Sequence, residues 1–152
     1  MNSTERQRVD LFAQLQRLIA VHEEIEDLHI HPVAIAGLPG GKDTIEELMM
    51  EEAAIKRLLS EMESIDPQGP DFAVQLYQLH QMILRHNGNE EHMEYPCLLT
   101  SLDVVAVQRV RQAASYANTA ILQGSGGAMA KEDMLGGSFP TMLERARMGL
   151  KG

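Results

Sequence analysis

Two histidines and two glutamates recur in one arrangement. His22 and Glu26 stand four residues apart, as do His86 and Glu90, and each pair is followed by a proline, Pro32 or Pro96. An offset of 64 residues carries one segment onto the other, with the shared pattern H-x-x-x-E-[DE]-x-x-x-x-P. Upstream, the same offset pairs Phe12 with Leu76, Leu15 with Leu79, Leu18 with Met82 and Ile19 with Ile83. Two segments are thus built to one plan. On a helix, residues four apart share a face, so each pair can offer an imidazole nitrogen and a carboxylate oxygen to one centre or to two adjacent ones. That donor mixture suits iron, manganese or zinc, whereas calcium and magnesium favour oxygen alone.

The elements that must carry these donors are helices, because apolar residues recur with a 3.6-residue period and strand signals are nearly missing. The first helix is expected from near Thr4, with Thr4 and Gln7 as a capping box, to Pro32. The second should start at Asp43 or Thr44, after the Gly/Pro loop 37–41, and run to about Ile65. The third spans about Asp71 to Tyr95, and the fourth about Asp103 to Leu122, with Asp103 at the positive end of the helix dipole. Residues 124–127 read as a flexible linker, 128–135 as a short helical turn and 136–137 as a break. A short amphipathic helix over 138–150 should dock on the bundle or on a partner. The expected class is therefore all-α: an up-down bundle over 1–123 and an appendage over 124–152.

Positions 12, 15, 19, 22 and 26 form one stripe of the first helix, so His22 and Glu26 continue its apolar face; 76, 79, 83, 86 and 90 do the same in the third. In the second, Ile45, Leu48, Ile55, Leu59 and Met62 define a stripe whose central member is Glu52. Carboxylates aimed into a core are costly when unpaired, and a bound cation would resolve the conflict. The metal-ligand set read from the stripes is His22, Glu26, Glu52, His86 and Glu90, with His29 a candidate further donor. The competing reading is a buried His–Glu hydrogen-bond network that only fixes helix register. His31 reads as a helix-end residue, and His80 and His92 as lying off the stripe. Glu23, Glu24, Glu51 and Glu91 are expected to be solvated or to support the ligating imidazoles. Tyr77, Tyr95 and Tyr116 are expected in the core, with a ligand or radical-quenching role as the alternative for any near the site, and Cys97 is not expected to be a nucleophile.

At His22 through Pro32, Glu51 through Leu59 and His86 through Pro96, the chain resembles the hemerythrin-like cation-binding family. The resemblance implies a four-helix bundle holding two iron atoms, and covers about residues 8–100. It also implies that the family's first helix, with its extra histidine, is missing, and that Glu52 stands where the family has His. The helix over 103–122 could fill the vacant place, although its stripe of Ala106, Val110, Ala113, Ala117 and Ala120 carries no metal donor, or two chains could pair as a homodimer. A carboxylate-rich centre implies dioxygen-related chemistry or sensing, in the manner of diiron oxidases and oxygenases, more than reversible oxygen carriage. The implied cofactor is iron, two ions, with manganese or zinc as the alternative; the implied partner is dioxygen or a small oxidant. A helical adaptor with an incomplete site and a metal storage or transfer protein are the other readings.

Composition agrees with a bundle: 44% of residues are hydrophobic, only 4% aromatic, and ten are Met. The formal charge of −9 repels phosphate backbones and argues against nucleic acid as a partner. No apolar run approaches the roughly 20 residues that span a bilayer. A single cysteine and the lack of a signal-like apolar core point to the cytoplasm.

Overall fold

A computed structural model describes residues 2–37, 40–96, 98, 103–125 and 137–151. These form α1 (Ser3–Ile25), a π-helical turn (Glu26–Ile30), α2 (His31–Gly37), α3 (Gly41–Met62), α4 (Pro70–Met93), α5 (Val104–Ser125) and α6 (Phe139–Lys151). The described residues contain no strand, as expected for an all-α chain. Cys97 and the turn expected over 128–135 lie outside the described residues.

The helix boundaries follow from local chemistry and differ in places from expectation. The capping box at the start of α1 is made by Asn2 and Glu5 rather than Thr4 and Gln7: the Asn2 side chain accepts from the Glu5 amide at 2.9 Å, and the Glu5 carboxylate accepts from the Asn2 amide at 2.7 Å. The charged acceptor, two residues earlier than the expected one, satisfies donors that would otherwise be orphaned. Gly40, at φ 74°, turns the chain into α3, so Asp43 lies inside the first turn instead of capping it. α4 starts at Pro70, where a missing amide hydrogen is harmless, and ends two residues before the expected Tyr95. Asp103 caps α5 by accepting from the Ala106 amide at 2.8 Å.

The largest departure is at Pro32, where the first helix was expected to stop. Helix continues through it to Gly37 because the preceding turn widens: the His31 amide donates to the Glu26 carbonyl, five residues back. An interior proline removes one ladder bond and crowds the carbonyl four residues before it. A π-turn opens the ladder at that point, so the extra residue absorbs the conflict and the chain goes on.

Apolar packing forms two clusters with a polar layer between them. The first joins Ile19, Ala20, Val21, Ile55, Leu59, Met62, Phe72, Leu79, Phe139, Met142 and Ala146 across α1, α3, α4 and α6. The second joins Ala34, Ile45, Leu48 and Leu98. On α3 the register passes from Ile45 and Leu48 in one cluster to Ile55, Leu59 and Met62 in the other, with Glu52 at the junction. α6 lies closest along α1, where Ala20 and Ala146 are both fully covered. Its first amide group is accepted by Glu63 at the end of α3, an anion placed at a helix N-terminus. α5 packs on α1 and α6 with Ala113 buried and Ala106, Val110 and Ala117 half-buried. It leaves uncovered a groove of about 400 Å³ between α1 and α4, lined by Leu11, Phe12, Leu15, Phe72 and Leu76 among others.

Candidate metal centre

The polar layer takes its residues from α1, the π-turn and the start of α2, together with α3, α4 and Glu94 just beyond α4. Three groups of potential ligands occur among the described residues: Glu23, Glu26, Glu52 and His86; His22, Glu26 and Glu90; and Asp27, His31 and Glu52. Within each group one ligand atom per residue lies within 4.8 Å of the others. Glu26 belongs to the first two groups and Glu52 to the first and third, so the groups overlap through carboxylates. A carboxylate has two oxygens and can serve two neighbouring positions, a geometry that bundle cores use for paired ions.

Contacts in the layer are short. His86 Nε2 stands 2.6 Å from Glu90 Oε1 and 3.5 Å from Glu52 Oε1. His22 Nε2 pairs with Glu26 Oε1 one helical turn away. His31 Nε2 is 2.6 Å from Glu52 Oε1, and its Nδ1 lies 2.9 and 3.1 Å from the two oxygens of Glu94. The Tyr95 hydroxyl donates to Glu90 Oε2 at 3.1 Å, and Lys56 donates to Asp27 Oδ2 at 3.2 Å. Asn89 donates to Glu51, whose Oε1 is 3.7 Å from His86 Nδ1.

The five residues expected on the inward stripes all reach this layer. Glu26, Glu52, His86 and Glu90 are buried, while His22 keeps 48% of its side chain exposed and sits at the rim. His29, the candidate sixth donor, does not join any of the three groups; it is half-buried beside Arg109, Gln112 and Tyr116. The extra residue of the π-turn turns His29 away and brings His31, expected only as a helix end, into the interior at 2% exposure. Glu23 and Glu24 were expected to be solvated or supporting, and both are buried; Glu24 accepts from Arg147 at 3.2 Å. Tyr95 is partly exposed instead of core-packed, Tyr77 is 66% exposed, and Tyr116 packs over α6. His80 and His92 are exposed, as their off-stripe positions predict.

Two of the missed residues were legible. Glu94 continues the step 86, 90, 94, and Glu23 continues 16, 19, 23, both at helical spacing. His31 was not, since it falls on the inward face only after one residue is inserted into the turn.

Charge and burial fit a cation. Among the described residues, the carboxyl groups of Glu23, Glu26, Asp27, Glu52, Glu90 and Glu94 gather around the four basic groups His22, His31, His86 and Lys56, so acid outnumbers base in the layer even with every imidazole protonated. Both oxygens of Glu26, one each of Glu23, Asp27 and Glu90, and both nitrogens of His86 are buried without a well-formed hydrogen bond. Native interiors rarely leave so many polar atoms unsatisfied in one place. The residues present therefore suit metal coordination by nitrogen and oxygen.

Proton affinities show the same conflict. Close contact with the Glu26 carboxylate holds His22 protonated, its pKa pushed up to about 9 against the effect of burial. Burial would lower His31 and His86, but their glutamate partners prevail, raising them to about 10 and about 12. Burial pushes Glu23 up to about 9 and Glu26 up to about 7, the latter restrained by His22 and His86. Burial acts the same way on Glu52 and Glu90, yet the contacts of His31 and His86 with Glu52, and of His86 with Glu90, hold both carboxyls below the usual range.

The family model described as the hemerythrin HHE cation binding domain matches residues 2–98. A protein of Nostoc sp. (strain PCC 7120) named DNA nickase is 26% identical over 126 residues, which is 82% of this chain and 35% of the relative. The chain thus spans about a third of that protein's length. No solved structure matches the chain. No helix among the described residues is long and apolar enough to cross a membrane.

Proposed function

The chain belongs to the hemerythrin HHE cation-binding family, and from that premise we propose that its polar layer holds two adjacent iron ions used in dioxygen-related chemistry or sensing. One observation carries the proposal: overlapping donor groups share Glu26 and Glu52, so neighbouring positions have carboxylates in common. An iron pair supplies redox chemistry toward dioxygen or another small oxidant. The protein supplies the rest. His22, Glu26, Glu52, His86 and Glu90 would hold the ions. The apolar clusters on either side keep bulk water from the layer, which strengthens charge interactions inside it. The Tyr95 hydroxyl fixes one oxygen of Glu90 and leaves the other beside His86. His22, half-exposed at the rim, is where a small oxidant would arrive.

More carboxylate than imidazole favours activation of an oxidant over its reversible carriage. Metal storage or transfer is the second reading, favoured by the same rim: an ion held by His22, Glu26 and Glu90 is within reach of solvent. DNA, which the name of the Nostoc relative invokes, suits this chain poorly, because its charge of −9 repels phosphate backbones.

The test is metal analysis of protein loaded anaerobically with ferrous iron, followed by exposure to air. Two irons per chain and a near-ultraviolet charge-transfer band are expected. Manganese or zinc retained in preference to iron would change the metal assignment, and no stoichiometric metal would overturn the proposal. Rapid loss of iron to an external chelator would favour storage or transfer.

A further inference from the structure

The 64-residue repeat breaks at one point, and the break has a consequence for the metal centre. Counting four residues on from Glu90 reaches Glu94, the buried residue that caps the end of α4; the repeat partner of Glu94 is Ile30. In the first copy the turn is π-helical and one residue longer, so the residue stacked on Glu26 is His31 instead of Ile30. The two copies then meet face to face, with both carboxylate oxygens of Glu94 on His31 Nδ1. His31 Nε2 points the other way, 2.6 Å from Glu52 Oε1 and 3.8 Å from both Glu26 Oε2 and Asp27 Oδ1. Asp27 Oδ1 and Glu26 Oε2 are buried without a well-formed hydrogen bond.

We propose that His31 is a metal ligand through Nε2, delivered by the π-turn to the end of the centre formed with Asp27 and Glu52, and that Glu94 is its positioning residue. The inference rests on the reading of the layer as a cation site and adds to it a ligand that repeat and stripe do not predict. A metal-bound imidazole needs a fixed tautomer, and an acid on its second nitrogen supplies one while making the first more basic. Coordination through Nε2 requires that nitrogen to be free of its proton, so binding would exchange proton for metal. The arrangement is asymmetric in a useful way. At the far end His22 lies at the rim with half its side chain exposed, whereas His31 is enclosed at 2%. The two ends should therefore differ in how quickly they exchange metal.

Titration of the full chain with Co2+, read by calorimetry and by its visible ligand-field bands, tests this. The wild type should take up two ions, the His31→Ala variant one, and the His31→Gln variant, closer in size, also one. Glu94→Gln should keep both, with the affinity of one weakened roughly 10–100-fold, the usual range for an outer partner. Melting of the metal-free variants provides the control. A merely structural His31 would lower their melting temperature yet leave two ions bound with unchanged bands, and that result would overturn the inference while the cation site stood. A wild type that bound no ion would instead remove the reading on which it rests.

Discussion

At the residue scale, the proposed centre would set protons against cations for the same nitrogen and oxygen atoms. His86 is enclosed and touches Glu52 and Glu90, so His86→Ala should abolish most binding of Co2+ or Zn2+. His80→Ala and His92→Ala, both at exposed positions, should leave calorimetric affinity unchanged; a loss at either would mean that the wrong face is assigned. The raised imidazoles must release protons to a metal, so affinity should climb with pH, with proton release measurable in buffers of different ionisation enthalpy. In the metal-free protein, His22, His31, Glu23 and Glu26 hold protons more tightly folded than unfolded. Their contribution to stability is complete below the unfolded values, 6.5 for His and 4.5 for Glu. It is lost as pH rises, through about 7 and 9 for Glu26 and Glu23 and about 9 and 10 for His22 and His31. Glu52 and Glu90, with lowered values, act in the opposite sense and lose their contribution as pH falls below 4.5. Melting in the presence of a chelator should therefore show declining stability from about pH 7 to pH 10. Saturating Zn2+ should offset the decline, and a flat profile would contradict the buried charge arrangement.

At the scale of elements, register decides what the layer contains. α3 is the simplest case: its apolar stripe and Glu52 could be read directly, because an uninterrupted helix keeps its period and one side of it is covered. α1 is covered more broadly, by α3, α4, α5 and α6, so Gln16, Ala20 and Glu23 are buried beside the expected Ile19, and His22 is displaced to the rim. α5 and α6 are held together by an aromatic ring lying against a glycine. The Tyr116 phenol rests where a Gly149 side chain would be, and it donates to the Arg145 carbonyl at 3.3 Å. Gly149→Ala should cost about 1–3 kcal/mol, as overpacking does, read by urea denaturation. If the variant were as stable as the parent, the ring would have room to move aside.

At the scale of the molecule, the C-terminal helix contributes to the same core that encloses the polar layer. Phe139 is fully buried between α1 and α3, and Met142, Ala146 and Leu150 follow it at helical spacing. Phe139→Ala should cost about 3–5 kcal/mol, the range for deleting a buried aromatic side chain. Denaturation curves would check this, and a change below about 1 kcal/mol would show that α6 does not dock as described. The −9 charge has a counterpart inside: a share of the acid is gathered in one buried layer instead of spread over the surface, and a cation bound there would neutralise it.

The sequence by itself determined the helical class, the two His–Glu pairs and Glu52, since helical period and repeat are local properties that survive in the fold. It also showed the amphipathic C-terminal helix, although not the surface that receives it. Tertiary structure alone decided that His31 and not His29 turns inward, that Glu94 meets it from the other repeat, and that His22 stands at the rim. Each depends on the π-turn before Pro32 or on how many neighbours cover α1. Periodicity carries no signal for either, because a one-residue insertion rotates everything after it and the extent of covering is set by residues far away in the chain.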